Sequence, residues 1–206
     1  ASVAPFEGTG SLAGGRSYSI GPRVPRVCNG VVVAVVCGDV NSPEVDYCRP
    51  GCETTHRLGL RSQKAKPMVI DPERTLLSQR LLLRSMLHET STIVQCTVMD
   101  GLFKDHGMAN GSIGISMAQL WKGEVGGAVM AHPGSTPWDN SPVIGLSLRL
   151  GFQFFRLFPD ELTIERYDPV PPKHTEREDH EILVIHESRL DELQEWCDEG
   201  IITLVL

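Results

Sequence analysis

Cys48, Cys52 and His56 come closest, by type and spacing, to a metal site. Thiolate and imidazole are both good zinc ligands. The three stand four residues apart, a spacing that would align them on a helix. Pro50 and Gly51 lie between them and oppose a helix. A fourth ligand would have to come from Cys37, Cys28 or a distant residue. The trio therefore reads either as a structural zinc site or as ordinary thiols beside a surface histidine.

Two further sets of residues invite chemistry. His174, His180 and His186 recur six apart, with Asp179 nearby. They suit metal binding or acid–base work, and equally a solvated charged segment. Asp160, Glu161, Glu165 and Asp168 form an acidic set of nuclease type, with no lysine at a matching spacing. Nucleophilic signatures are absent. Gly111-Ser112-Ile113-Gly114 lacks the Gly-x-Ser-x-Gly form, and no Gly-Lys-Ser or Gly-Lys-Thr phosphate loop occurs. These absences turn the expectation toward assembly or binding, although a triad assembled in space leaves no local motif.

The chain has 206 residues and a formal net charge of -7, from 26 acidic and 19 basic residues. That length suits one domain with a real core. The charge opposes non-specific attraction to nucleic acid. No apolar run approaches the roughly 18 residues of a membrane helix; the nearest, Val31 to Val36, has strand length. The chain begins at Ala1, which fits either removal of a starting Met or cleavage from a precursor. Six cysteines at uneven spacing favour free thiols in a reducing compartment.

Positioning elements follow from pattern. Residues 1–27, rich in Gly, Ser and Pro, read as an extended arm. Val31 to Cys37 reads as a strand buried on both faces, and 38–67 as a long irregular stretch. Asp71 and Pro72 open an expected helix running to about His88. On it Arg80 and Arg84 share a stripe, read as a solvated face or an anion contact. Thr92 to Met99, Ile113 to Leu120 and Val125 to Ala131 read as strands, and 133–142 as a loop. Leu148, Leu150, Phe152 and Phe154 alternate with polar or small residues, the mark of a half-buried strand. A bulge or sheet edge is expected at Phe155. Leu162 to Tyr167 and Glu181 to Glu187 read as short strands. A helix capped by Ser188 and stopped by Gly200 follows, then a last strand over Ile201 to Leu206.

About eight strands and two helices without regular alternation predict a mainly β chain. The expected architecture is a jelly-roll-like β-sandwich, its helices in connections or in the C-terminal extension. The boundaries expected are an arm over 1–27, a sandwich core over 28–172 and a strand–helix–strand extension over 173–206.

Three stretches resemble the single jelly-roll capsid subunits of small plant (picorna-like) RNA viruses. They are Ile115 to Val125, Pro137-Trp138-Asp139-Asn140 with Leu146 to Phe154, and Tyr167 to Pro172. The order of Asp100 and Gly111 around the strand over Ile113 to Leu120 is similar to jelly-roll movement proteins, but Leu102 stands where those carry an arginine. The capsid resemblance implies a coat protein of the virion and host cytoplasm that assembles with itself or sister subunits, with no membrane and no cofactor beyond the zinc option. Trp121, Trp138 and Phe155 would be its interface anchors, and Arg16, Arg23 and Arg26 its contacts to packaged RNA. The alternatives are a metal-dependent or other hydrolase and a non-viral β-sandwich binding domain.

Overall fold

The strand Arg80–Leu83 (β6) shows how this sequence builds its core. Leu81 and Leu83 are fully buried on one face, and Leu82 is buried on the other. Three consecutive leucines fit only a central strand with helices on both sides.

The computed structural model describes residues 23–28, 31–39, 44–48, 56–59, 64–71, 73–108, 113–130, 137–169 and 180–206. Five strands come first: Arg23–Cys28 (β1), Val31–Asp39 (β2), Glu44–Cys48 (β3), His56–Gly59 (β4) and Lys64–Pro67 (β5). They form an antiparallel meander in chain order. A connector leads from β5 to β6. The helix Thr92–Met99 (α1) and the strand Asp105–Met108 (β7) follow, then Ile113–Trp121 (α2), Gly127–Met130 (β8) and Pro137–Arg149 (α3). The remaining elements are Phe152–Phe158 (β9), Thr163–Tyr167 (β10), Ile182–His186 (β11), Leu190–Glu199 (α4) and Thr203–Val205 (β12). The second sheet has the order β12-β10-β9-β11-β8-β6-β7. In it β6, β7 and β8 run parallel, while β9 and β11 are antiparallel to their neighbours.

Each face of the second sheet carries its own apolar cluster. On one face Met117, Leu120 and Trp121 of α2 and Val143, Ile144 and Leu146 of α3 meet Leu82, Ala128, Phe154 and Val184. On the other, Ile93 and Val94 of α1 and Leu193 and Cys197 of α4 meet Leu81, Val129, Phe155 and Ile185. α3 also packs on β1 and β2, and α2 on β2. The layers are therefore the five-stranded sheet, α2 with α3, the seven-stranded sheet, and α1 with α4.

This layering overturns the expected jelly-roll β-sandwich. A sandwich packs sheet on sheet, whereas here a helical layer separates the two sheets and the protein is mixed α/β. Three segments expected as strand or loop are the helices α1, α2 and α3. In α1, Ser91 accepts a hydrogen bond from the Val94 amide at 3.5 Å and caps the helix. The buried residues Ile93, Val94 and Thr97 keep helical spacing. Leu148, expected inside a strand, is on α3 and 44% exposed.

The expected helix from Pro72 is replaced by turns. The Asp71 carboxylate does accept the Glu73 amide at 3.0 Å, but the chain then closes short turns, Thr75 to Ser78 and Leu76 to Gln79, and enters β6. Arg80 thus lies on a strand, where it chelates Asp105 of β7 at 3.0 and 3.1 Å. The expected irregular stretch contains β3, β4 and β5. Phe154 and Phe155 need no bulge. They pair in regular register with Val184 and Leu183, and each is buried on its own face. The segment expected as a C-terminal extension supplies β11, which lies between β8 and β9. Among the described residues no helix is long and apolar enough to cross a membrane.

Candidate functional site

The topology singles out one edge of the second sheet. β6 and β8 are parallel neighbours. The chain leaves β6 through α1, on one face, toward β7. It leaves β8 through α3, on the other face, toward β9. The two outgoing connections diverge beyond the carboxyl ends of β6 and β8, which makes this a topological switch point. Open α/β sheets bind their ligands at such a switch point.

Two helices begin at this edge. α2 follows β7, and α3 follows β8, so both present their N-terminal ends there. The first amides of a helix have no intrahelical acceptor, and the dipole adds positive potential. Two such ends at one edge suit an anion. Pro137 opens α3 and lacks an amide, and its fixed φ suits the first helical position. The next residues are Trp138 and Asp139, so a carboxylate-bearing residue stands in the first turn. Arg84 and Ser85 follow β6 at the same edge, and Glu181 leads into β11. The Glu181 carboxylate accepts the Ser91 amide at 3.1 Å, tying β11 to the start of α1.

Strand pairing brings two of the candidates from spacing together and separates others. Cys48 ends β3 and His56 begins β4; Tyr47 is paired with His56, so these two lie one register step apart. Cys52, between them in sequence, lies outside the described residues, as do Arg16 and His174. His180 precedes β11 and His186 ends it, so the two stand at opposite ends of that strand. The His180 ring lies 4.6 Å from that of Phe158. Asp160, Glu161, Glu165 and Asp168 line an exposed turn and β10. Arg23 and Arg26 lie on β1, and Trp138 on α3. Among the described residues no three of His, Cys, Asp or Glu are grouped to hold a metal. Cys96 and Cys197 are free thiols, and burial is the main cause that raises both, Cys197 to about 11. Neither is a ready thiolate.

Trp121 and Phe155, expected as interface anchors, are core residues at 3% and 0% exposure. The Trp121 indole donates to the buried Ser147 hydroxyl at 2.9 Å, pinning α2 to α3. Trp121→Phe is expected to keep the packing and strand that hydroxyl, at a cost of about 1–3 kcal/mol. Urea unfolding checks this, and an unchanged midpoint would refute it.

No protein-family model matches the sequence, and no curated protein does. Solved structures do match. Staphylococcal IMPase-II superposes with a TM-score of 0.61 at 15% identity, over 85% of this chain and 62% of that one. SuhB of Mycobacterium tuberculosis gives 0.59 at 13% identity, over 87% and 63%. An IMPase of Thermotoga maritima gives 0.58 at 14% identity, over 87% and 61%.

The fold is that of the inositol monophosphatases.

This chain spans about three-fifths of the length of the structures it matches. The likeness replaces the resemblance to jelly-roll capsid subunits and movement proteins, and with it the coat-protein role and the virion location. Two of the three stretches that carried the resemblance are largely helical here, and Tyr167 of the third ends β10. Ile115 to Val125 runs through α2, and Pro137 to Asn140 is the first turn of α3. No local motif marks the switch point, which exists only once β6 and β8 are paired.

Proposed function

We propose that this chain carries the chemistry of a phosphate monoester hydrolase and receives the phosphate at the switch point between β6 and β8. The observation that carries this is the placement of the α2 and α3 N-terminal ends at that switch point, in a fold shared with inositol monophosphatases. Related structures were solved with inositol monophosphate, 2'-AMP and D-inositol-1-phosphate bound. A chain of net charge -7 repels a dianion at long range, so its binding needs local donors of this kind.

The reaction adds water to phosphorus and breaks the ester P–O bond, and the leaving alkoxide takes up a proton to give the alcohol and inorganic phosphate. Helix-end amides hold the phosphoryl oxygens and stabilise the charge spread over them. Asp139, placed by its backbone position in the first turn of α3, is the residue proposed to accept the proton of the attacking water.

The fold family implies a divalent cation, typically Mg2+. Among the described residues no three of His, Cys, Asp or Glu are grouped to hold it. The direct test is phosphate release from D-inositol-1-phosphate and 2'-AMP, with millimolar Mg2+ and with chelator. Release above background from at least one of the two esters is expected. No release from either ester at saturation would overturn the proposal.

A further inference from the structure

We propose that His186 is a pH-sensitive latch that ties the turn before β9 to the start of α4, and through α4 holds the connector between the two sheets. The latch lies at the edge of the second sheet opposite that switch point and does not depend on the proposed function. It rests on a hydrogen-bond arrangement that admits one form of the ring.

His186 Nε2 lies 2.9 Å from the Leu150 carbonyl oxygen. A carbonyl only accepts, so Nε2 carries the proton. Nδ1 is then bare, and it accepts the Ser188 amide at 3.2 Å and stands 2.8 Å from the Ser188 hydroxyl. The ring thereby caps the short 3₁₀ turn Glu187–Arg189 that leads into α4. Beside it the Glu187 amide donates to the Gly151 carbonyl at 2.9 Å. Gly151 has φ +82°, and a Cβ there would stand 2.9 Å from the Glu187 carboxylate and 3.0 Å from Nε2. The Phe152 ring meets the imidazole edge-on at 5.2 Å.

The same turn holds the connector. The buried Arg189 donates to the Asp71 carbonyl at 2.7 Å and lies 3.5 Å from Glu192. The Glu192 carboxylate accepts the Leu76 amide at 2.7 Å. Asp71 and Leu76 belong to the stretch that joins β5 of the first sheet to β6 of the second.

A second proton on the ring must go to Nδ1. It then points at the Ser188 amide, itself a donor, and that hydrogen bond is lost. The Ser188 hydroxyl can turn to accept, so one of the two bonds survives. The charged side chains lining the same small cleft are Asp71 and Arg74 from the connector and Arg189 from the turn; Glu187 adjoins the ring in sequence. Leu120, Gly123, Val125, Gly126 and Phe152 bring no charge from the other elements. Burial disfavours the imidazolium most, with Arg189 acting the same way, while the Leu150 carbonyl and Glu187 favour it; the net direction is downward. A histidine lowered from 6.5 stabilises the fold fully above that value, and the contribution is lost as pH falls below 6.5 toward the lower folded value.

Amide hydrogen exchange, corrected for intrinsic rates, tests the latch. Between about pH 8 and about pH 5.5, opening at Leu76 and Ser188 is expected to rise about three- to tenfold, since one pH unit bounds the effect of one proton at tenfold. In His186→Asn the amide oxygen can still cap Ser188 but does not titrate, so the rise is expected to stay below about twofold. Ring-nitrogen NMR of the parent is expected to show the Nε2–H tautomer at neutral pH. The opposite tautomer, an absent rise in the parent, or an equal rise in the variant would overturn the proposal. Should the variant not fold, the tautomer and the parent profile decide it alone.

Discussion

Asp139→Asn is expected to lower phosphate monoester hydrolysis by about 10²- to 10⁴-fold, the range lost when a positioned acid–base group is removed. The argument begins with topology. The carboxyl ends of the parallel pair β6 and β8 form a topological switch point, and α3 follows β8 from that end. Position 139 is the third residue of α3 and bears a carboxylate in the helix's first turn. Asparagine keeps the size and the hydrogen-bonding oxygen but accepts no proton. It also remains compatible with a helix start, so the fold should survive with a change of about 0.3–1 kcal/mol from the lost charge at the positive helix end. Steady-state kinetics together with urea unfolding of the same sample separate the two effects. A variant that folds and keeps more than about a tenth of the parent kcat would remove Asp139 from the proposed chemistry.

Phe155→Ala is expected to destabilise the protein by about 3–5 kcal/mol, the usual range for truncating a fully buried phenylalanine. Phe155 is 0% exposed. It stands in β9 opposite Leu183 of β11 and Arg166 of β10. The cluster it shares includes Leu157, Ile164, Ile185 and Leu193, so the cavity would open between the central strands and the helical layer of α1 and α4. Rigid strands on either side limit how far the gap can close. The comparison with Leu148→Ala is instructive, because Leu148 is exposed at 44% and should cost under about 1 kcal/mol. If Phe155→Ala unfolds at the parent midpoint, the placement of its ring in the core is wrong.

Much of the second sheet was legible in the sequence. The strands near Val125 to Ala131, Leu162 to Tyr167 and Glu181 to Glu187, and the helix after Ser188, lie close to β8, β10, β11 and α4. α4 was readable because its polar and apolar residues segregate cleanly, and Gly200 follows it. α1 was not, because Thr92, Ile93 and Val94 are β-branched and suggest a strand. The tertiary demand of the face bearing Leu81 and Leu83 overrides that propensity. α2 lies between two sheets and is apolar around much of its circumference, which hides its period. The spacing of Met117, Leu120 and Trp121 was the available sign. In α3 two prolines, Asp139 and Asn140 look like a loop, and Leu148 to Phe154 alternates by accident across a helix end and a strand start. With three helices reading as strand or loop, the sequence pattern points to a β-sandwich.

The candidate site was less legible for a different reason. Its switch point is a product of strand order, β8 beside β6 with diverging connections, and strand order leaves no local signature. The sequence placed chemistry at Cys48, Cys52 and His56 because side-chain type is what a motif records. Helix-end amides are backbone groups and carry no residue code. From sequence Asp139 reads only as part of a turn, and Trp138 as an interface anchor.

The central claim is the location of the phosphate, and NMR titration with D-inositol-1-phosphate in the presence of Mg2+ tests it most directly. The account predicts saturable shifts in the amides that follow β6 at Arg84 and Ser85 and in the first turns of α2 and α3, with His186 and Ser188 unaffected. Shifts confined to the His186 edge, or none at saturating ligand, would contradict it.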